Sequence, residues 1–293
     1  MSGVFKLQSA PGTQRIAARI PKLAHCLAWV VPALLLCSGS HLLQAQTAGQ
    51  APPSAAPAWS QPGSATHTQV APPADFHRPS KNLDIPIGIF KGQSDIGSAL
   101  VPGSATYDAA TKRYTINSAG YNVWYTRDEF RYLWAKMSGD VSLAADISFP
   151  DPNGYGDRKA VLVIRQDLED DSKEALVALH GAGMIQLAQR VEKNIRVKDM
   201  EYRIGGRGRP GGASPDSLVV VNAKRIGIEK RGDSFALYVS LEGEPMHQFG
   251  PPIELHIDGP FYVGIGFCSH LPDKSDTAAF SNVILENIAG KIQ

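Results

Sequence analysis

The sequence predicts an all-β fold, a two-sheet antiparallel jelly-roll β-sandwich. Three observations predict it. Short apolar and β-branched runs recur about every eight to twelve residues, and Gly, Asp, Asn and Pro punctuate the gaps, as at Asp151-Pro152-Asn153-Gly154 and Asp258-Gly259-Pro260. No amphipathic helix of about ten or more residues lies between them. The strand pattern runs for roughly 210 residues, too long for an immunoglobulin-sized sandwich of about 100.

The chain before the strands differs in kind. Lys6, Arg15, Arg19 and Lys22 make a basic start without an acidic residue. An apolar run from Leu23 to Cys37 follows, then the small-residue exit at Leu43-Gln44-Ala45. This is the build of a secretory signal peptide, residues 1–45, with cleavage expected near Ala45. The apolar run is shorter than the roughly 20 residues of a membrane span, so no stable span is expected after cleavage; the alternative is an uncleaved anchor. The whole chain has 293 residues and a formal net charge of +1, and losing those four basic residues leaves −3. Such a balance gives no argument for nucleic acid or an anionic membrane surface. Cys26 and Cys37 fall in the leader, so a mature chain keeps only Cys268 and has no disulfide framework. Residues 46–81 are rich in Ala, Pro, Ser, Gln and Thr and read as a disordered tether. The folded domain is expected over residues 82–290.

Within the domain the expected strands are, in order, SATYD and RYTINS, NVWYT, FRYLWAKM, VSLAADISF, KAVLVIRQ, EALVALH, MIQLAQRV and IRVKDMEYRI. SLVVVN, KRIGIEKRG, SFALYVSL, IELHID, FYVGIGFCS and AAFSNVILEN follow. Phe235, Leu237, Val239 and Leu241 alternate, which suits a strand with one wet face. The stretch from Lys159 to Arg190 is different. KAVLVIRQ and EALVALH are apolar at nearly every position, so both should lie centrally in a sheet covered on both faces.

The order of FRYLWAKMSGDVSLAADISF, KAVLVIRQ, ALVALHGAG, IQLAQR, KRIGIEKRGDSFALYVS, GPFYVGIGFCSH and FSNVIL resembles the concanavalin A-like lectin/glucanase superfamily. More narrowly it resembles secreted bacterial domains of that superfamily called TolB-like or Tol-associated. The resemblance covers roughly Ile87–Glu286. It implies two curved antiparallel sheets and a concave face or rim that often binds sugar. Glucanases of the superfamily carry a Glu-x-Asp-x-x-Glu strand. No strand here is expected to carry acids at alternate positions, so that mechanism is not carried over. Glu242 and Glu244, and Glu169 to Asp171, read as turns.

Three large polar residues stand in the apolar strands: Arg165, His180 and Arg190. Arg165 shares a face with Val161 and Val163, and His180 with Leu176 and Ala178. On a concave face they would floor a groove, the guanidiniums offering planar forks and the imidazole a donor or acceptor. The competing role is a scaffold in which the arginines pair with buried acids, because unpaired buried charge is costly. Trp124 and Tyr125, in the loop-like AGYNVWYTRDE, are the expected rim, because sugar faces stack on aromatic rings. Phe130, Tyr132 and Trp134 alternate onto one face and read as core. Asp151 to Asp157 has oxygen donors but reads as an ordinary turn, and no metal or cofactor is expected. Cys268 and His270 alternate at a strand end, where a small buried thiol suffices as explanation. Arg203-Ile-Gly-Gly-Arg207-Gly-Arg209 reads as a flexible loop. The expectation is a secreted or periplasmic, non-catalytic module that binds carbohydrate or another cell-envelope polymer through Arg165, His180, Arg190, Trp124 and Tyr125. The alternatives are a glycan hydrolase and a protein-interaction domain of an envelope assembly.

Overall fold

The computed structural model describes residues 77–203 and 223–292, with Arg203 described by its backbone alone. The expected leader, most of the expected tether, the Arg/Gly loop beyond Arg203 and the SLVVVN strand lie outside the described residues. The described residues contain no helix and form the expected β-sandwich of two large antiparallel sheets.

The first sheet has eight strands. In spatial order they are β1 (Lys81–Leu83), β2 (Gly92–Ile96), β7 (Phe130–Met137), β17 (Phe261–Cys268), β9 (Lys159–Arg165), β10 (Glu174–His180), β11 (Met184–Arg190) and β12 (Lys198–Arg203). The second sheet runs β15 (His247–Gln248), β14 (Ser234–Ser240), β13 (Arg225–Arg231), β8 (Val141–Ser148), β18 (Leu271–Glu286), β4 (Arg113–Gly120) and β3 (Ser104–Asp108). A short β16 (Ile253–Glu254) also pairs with β14. Neighbours far apart in sequence, such as β7, β17 and β9, show the chain crossing repeatedly between sheets, as a jelly roll requires.

The inner faces meet in the main core. Leu133, Leu162, Ile164, Val177, Ile265 and Phe267 pack against Ile116, Leu143, Ile228, Phe235, Leu237 and Phe280. Each such fully buried large side chain contributes about 1.5–3 kcal/mol. The first sheet has a second core on its outer face. Phe130, Tyr132, Trp134, Val163, Leu176 and Ala178 lie there, with Val123, Leu168 and Val197 from the connecting segments. That second layer is why KAVLVIRQ and EALVALH are apolar on both faces. They occupy central positions in the sheet, as expected.

Some expectations change. NVWYT does not join either large sheet. Val123–Trp124 (β5) pairs with Arg127–Asp128 (β6) in a small hairpin. IELHID contributes only the two residues of β16. Residues 77–81, read as the end of the tether, are fixed to the domain. His77 Nδ1 lies 2.7 Å from Asp170, Arg78 lies 3.4 Å from Glu129, and Lys81 opens β1.

A candidate binding face at the end of the first sheet

Arg165 ends β9, Glu174 begins β10 and Arg190 ends β11. Glu174 is the cross-strand partner of both arginines, so all three side chains rise from the outer face in one row. Asp128 of β6 completes the group. Arg190 grips it with two bonds, Nη2 to Oδ1 at 2.6 Å and Nη1 to Oδ2 at 2.8 Å, and Arg165 Nη2 reaches Oδ2 at 3.3 Å. Glu174 lies 3.1 Å from Arg190 and 3.4 Å from Arg165. All four side chains are 0% exposed. Two guanidiniums and two carboxyl groups thus meet in a fully enclosed pocket, where mutual pairing offsets the cost of burying charge. Burial pushes the Glu174 carboxyl up to about 7, the Asp128 carboxylate acting in the same direction and the two arginines against it.

This corrects the expected groove. The sequence does bring Arg165, Arg190, Trp124 and Tyr125 together, but as a closed stack. Arg190 Nη2 donates to the Trp124 carbonyl at 3.3 Å, and Arg165 Nε to the Asp167 carbonyl at 3.0 Å. Trp124 and Tyr125 are themselves buried. Arg127 fastens the hairpin further, at 2.8 Å from Asp170 and 3.1 Å from Asp171. The guanidiniums hold loops on the sheet and offer no open floor.

His180 lies at the opposite end of β10 from Glu174, and there the face is polar. Cys268, Lys159 and His180 are successive cross-strand partners on β17, β9 and β10. A hydrogen-bonded series runs outward from the imidazole. His180 Nε2 meets Gln186 Oε1 at 3.4 Å, and Gln186 Nε2 donates to Asp199 Oδ2 at 3.1 Å. On the other side, His180 Nδ1 stands 3.9 Å from Asp157 Oδ1. Because Gln186 must present its amide hydrogens to Asp199, its carbonyl oxygen faces His180. This pattern assigns the imidazole proton to Nε2 and leaves Nδ1 an acceptor. Burial lowers the His180 pKa to about 4, Lys159 acting in the same direction and contacts with Asp157 and Gln186 against it, so the ring is neutral near pH 7.

Lys159 is buried beside this series. Its Nζ lies 4.7 Å from the centre of the Trp124 ring and 3.4 Å from the Val123 carbonyl. Burial lowers its pKa, while Cys268, Asp157, Asp199 and Glu201 pull it back up. Burial likewise pushes the Cys268 thiol up to about 11, which makes it a poor nucleophile. Trp124 therefore belongs to both ends of the face. Its carbonyl serves Arg190 and its ring covers Lys159.

β12 departs from a sequence expectation. Asp199 and Glu201 stand at alternate positions of one strand, opposite Ala188 and Gln186 on the outer face. Met200 and Tyr202 alternate with them and pack against the main core. The signal was present in IRVKDMEYRI, where the apolar residues fix which way the acids point. Gln186 was overlooked because a lone glutamine in an apolar strand carries no pattern of its own.

Two further features border this end. A cavity of about 320 Å³ at the β10–β11 turn is lined by Phe149, Pro152, Arg158, Leu179, His180 and Gly183, among others. Arg158 is committed there to Asp276 at 2.6 Å and to the Asp151 carbonyl at 2.7 Å. Tyr155 stacks on His270 with ring centres 5.3 Å apart. His270 and Tyr125 both hold left-handed backbone conformations, with φ of 66° and 38°. Left-handed non-glycine residues cost of order 1–3 kcal/mol and gather at functional sites. Among the described residues no group of three or more His, Cys, Asp or Glu side chains is placed to hold a metal ion. The Asp151 loop closes as a turn, with Asn153 N donating to Asp151 Oδ1 at 2.8 Å.

Neither a family model nor a curated protein matches this chain. Solved structures do. The chain is similar to a protein of unknown function from Saccharomyces cerevisiae, with 14% identity and a TM-score of 0.46, covering 65% of this chain and 95% of that one. It is similar to the carbohydrate-binding module CBM66 from Bacillus subtilis, with 18% identity and a TM-score of 0.40, covering 63% and 92%. It is also similar to an alginate lyase from Klebsiella pneumoniae, with 13% identity and a TM-score of 0.39, covering 64% and 85%.

Proposed function

We propose that this chain is an exported, non-catalytic module that binds carbohydrate or a related cell-envelope polymer at the β10–β12 end of the first sheet. One observation carries the reading. Asp157, His180, Gln186 and Asp199 line up as a polar series from the segment before β9 across β10, β11 and β12, beside a cavity, while the other end of the same face is closed by the buried four-charge group. Side chains that mix carboxylates, a carboxamide and a neutral imidazole are the groups that exchange hydrogen bonds with hydroxyls. In this reading His180 contributes to binding, while Arg165 and Arg190 act as the framework beneath the buried Trp124–Tyr125 segment. The basic and apolar start of the chain supports export, with the Ala/Pro-rich stretch as tether.

A second reading rests on Asp199 and Glu201. Two acids on one face are what a glycan hydrolase requires, provided their carboxyls stand about 5–10 Å apart. One experiment addresses both readings. The full-length protein is screened against soluble oligosaccharides and insoluble polysaccharides, with Gln186→Ala and Glu201→Gln alongside. Binding that Gln186→Ala weakens, with no new reducing ends released, supports the module. Release of reducing ends that Glu201→Gln abolishes supports the hydrolase. A folded protein that neither retains nor cleaves any glycan overturns both readings and points to protein partners.

A further inference from the structure

The 3.9 Å gap between His180 Nδ1 and Asp157 Oδ1 has a specific chemistry. With the imidazole proton on Nε2, both atoms facing the gap are acceptors. His180 is buried and its Nδ1 has no hydrogen-bond partner, whereas the Asp157 side chain is 41% exposed and can be reached from outside. Two acceptors that face each other call for one atom that donates twice, which in the free protein a water supplies and which a ligand must match to displace it. A hydroxyl has a single hydrogen and serves one of them. An ammonium has three and serves both, from ordinary distances of about 2.9 Å.

The surrounding charge agrees. Asp157, Asp199 and Glu201 act on this end of the sheet, and all three appear among the groups that stabilise the Lys159 ammonium. Lys159 is a buried cation that opposes positive charge at His180, but three carboxylates, Asp157, Asp199 and Glu201, stand against it. The other nearby cation, Arg158, is taken up by Asp276. The site is therefore suited to a cation and poorly suited to a uronate or a phosphate.

We propose that the ligand carries a primary ammonium, as an amino-sugar polymer does, and that this group bridges His180 Nδ1 and Asp157. The inference rests on the sugar-binding reading above and names its ligand class. Charge-assisted hydrogen bonds of this kind are about twice as strong as neutral ones, and the neighbouring acids add to the attraction.

The test is calorimetric titration of the full-length protein with three β-1,4-linked oligomers of equal length: glucosamine, N-acetylglucosamine and glucose. The glucosamine oligomer is expected to bind at least tenfold more tightly than the glucose oligomer. Asp157→Asn should abolish that preference, the glucosamine oligomer then binding no more tightly than the glucose oligomer binds the same variant. Asp108→Asn, an exposed acid in the second sheet, should leave the preference intact. Equal or tighter binding of the glucose or N-acetylglucosamine oligomer overturns the ammonium and leaves the sugar reading standing. Retention of the preference in Asp157→Asn shows attraction by general charge and also overturns it. Binding of no oligomer by a protein with native circular dichroism overturns the sugar reading itself.

Discussion

Replacing Asp128 with asparagine tests the buried four-charge group most sharply. Asp128 accepts bonds of 2.6 and 2.8 Å from Arg190 and 3.3 Å from Arg165, with its side chain fully enclosed. Asparagine keeps the shape and removes the charge. Two guanidiniums then face Glu174 alone. Removing one partner from a buried ion group costs about 3–5 kcal/mol, because the orphaned charge stays out of water. In a sandwich of this size each kcal/mol moves the melting temperature by about 2–4 °C, so a fall of roughly 6–20 °C is expected. Urea and thermal unfolding, followed by far- and near-ultraviolet circular dichroism, give the value. Arg165→Met added to Asp128→Asn restores one cation to one carboxylate and should recover at least about 1 kcal/mol, as coupled neighbours do. A loss below about 1 kcal/mol for Asp128→Asn alone, typical of exposed ion pairs, would refute the reasoning.

Glu174 and His180 give opposite pH dependences. Glu174 is pushed up to about 7, so its contribution is full below its ordinary 4.5 and is lost as pH rises through 7. His180 is pulled down to about 4, so its contribution is full above 6.5 and is lost as pH falls towards 4. Glu174→Gln should therefore unmask a loss of stability on acidification below pH 6.5, and His180→Gln a loss on raising pH from 4.5 to 7, each with a slope of up to about 1.4 kcal/mol per pH unit. Identical urea-unfolding profiles for both variants and the wild type would contradict these assignments. At Gly264 an added Cβ would stand 1.8 Å from the Leu133 carbonyl oxygen, so Gly264→Ala should lose about 1–3 kcal/mol in the same assay, and an unchanged midpoint would count against the register of β17 on β7. Cys268 is buried and its thiol lies near 11, so iodoacetamide at about pH 8 should label it only in denaturant, as read by peptide mass spectrometry.

The sandwich itself was legible because periodicity reports burial directly. KAVLVIRQ and EALVALH lack a polar face, and they lie fifth and sixth in their sheet with apolar layers on both sides. Phe130, Tyr132 and Trp134 alternate, and all three enter the outer core. β2 was not legible, because Gly92-Gln93-Ser94-Asp95-Ile96 looks like a turn. Its polar groups are satisfied from β7, Gln93 and Asp95 by Arg131 at 2.6 and 3.1 Å, and Ser94 by Trp134 at 2.9 Å. An added Cβ at Gly92 would stand 2.2 Å from the Trp134 ring, which explains the glycine.

The candidate site was legible in part for the same physical reason. Strand alternation places Arg165 and His180 on one face. It does not say what lies above that face. Asp128, the residue that closes over the arginines, is 37 residues from one and 62 from the other in sequence, and no local pattern links them. Asp199 and Glu201 were readable from the Met200 and Tyr202 alternation, whereas Gln186 gains its meaning only from its neighbours across the sheet.

The binding face itself is tested most directly by hydrogen–deuterium exchange on the full-length protein, with and without the polymer most strongly retained in the glycan screen. Slowed exchange in residues 155–159, 178–186 and 198–202 is the expected result. Slowed exchange confined to residues 166–172 and the β5–β6 hairpin would return binding to the arginine end and contradict a face at β10–β12.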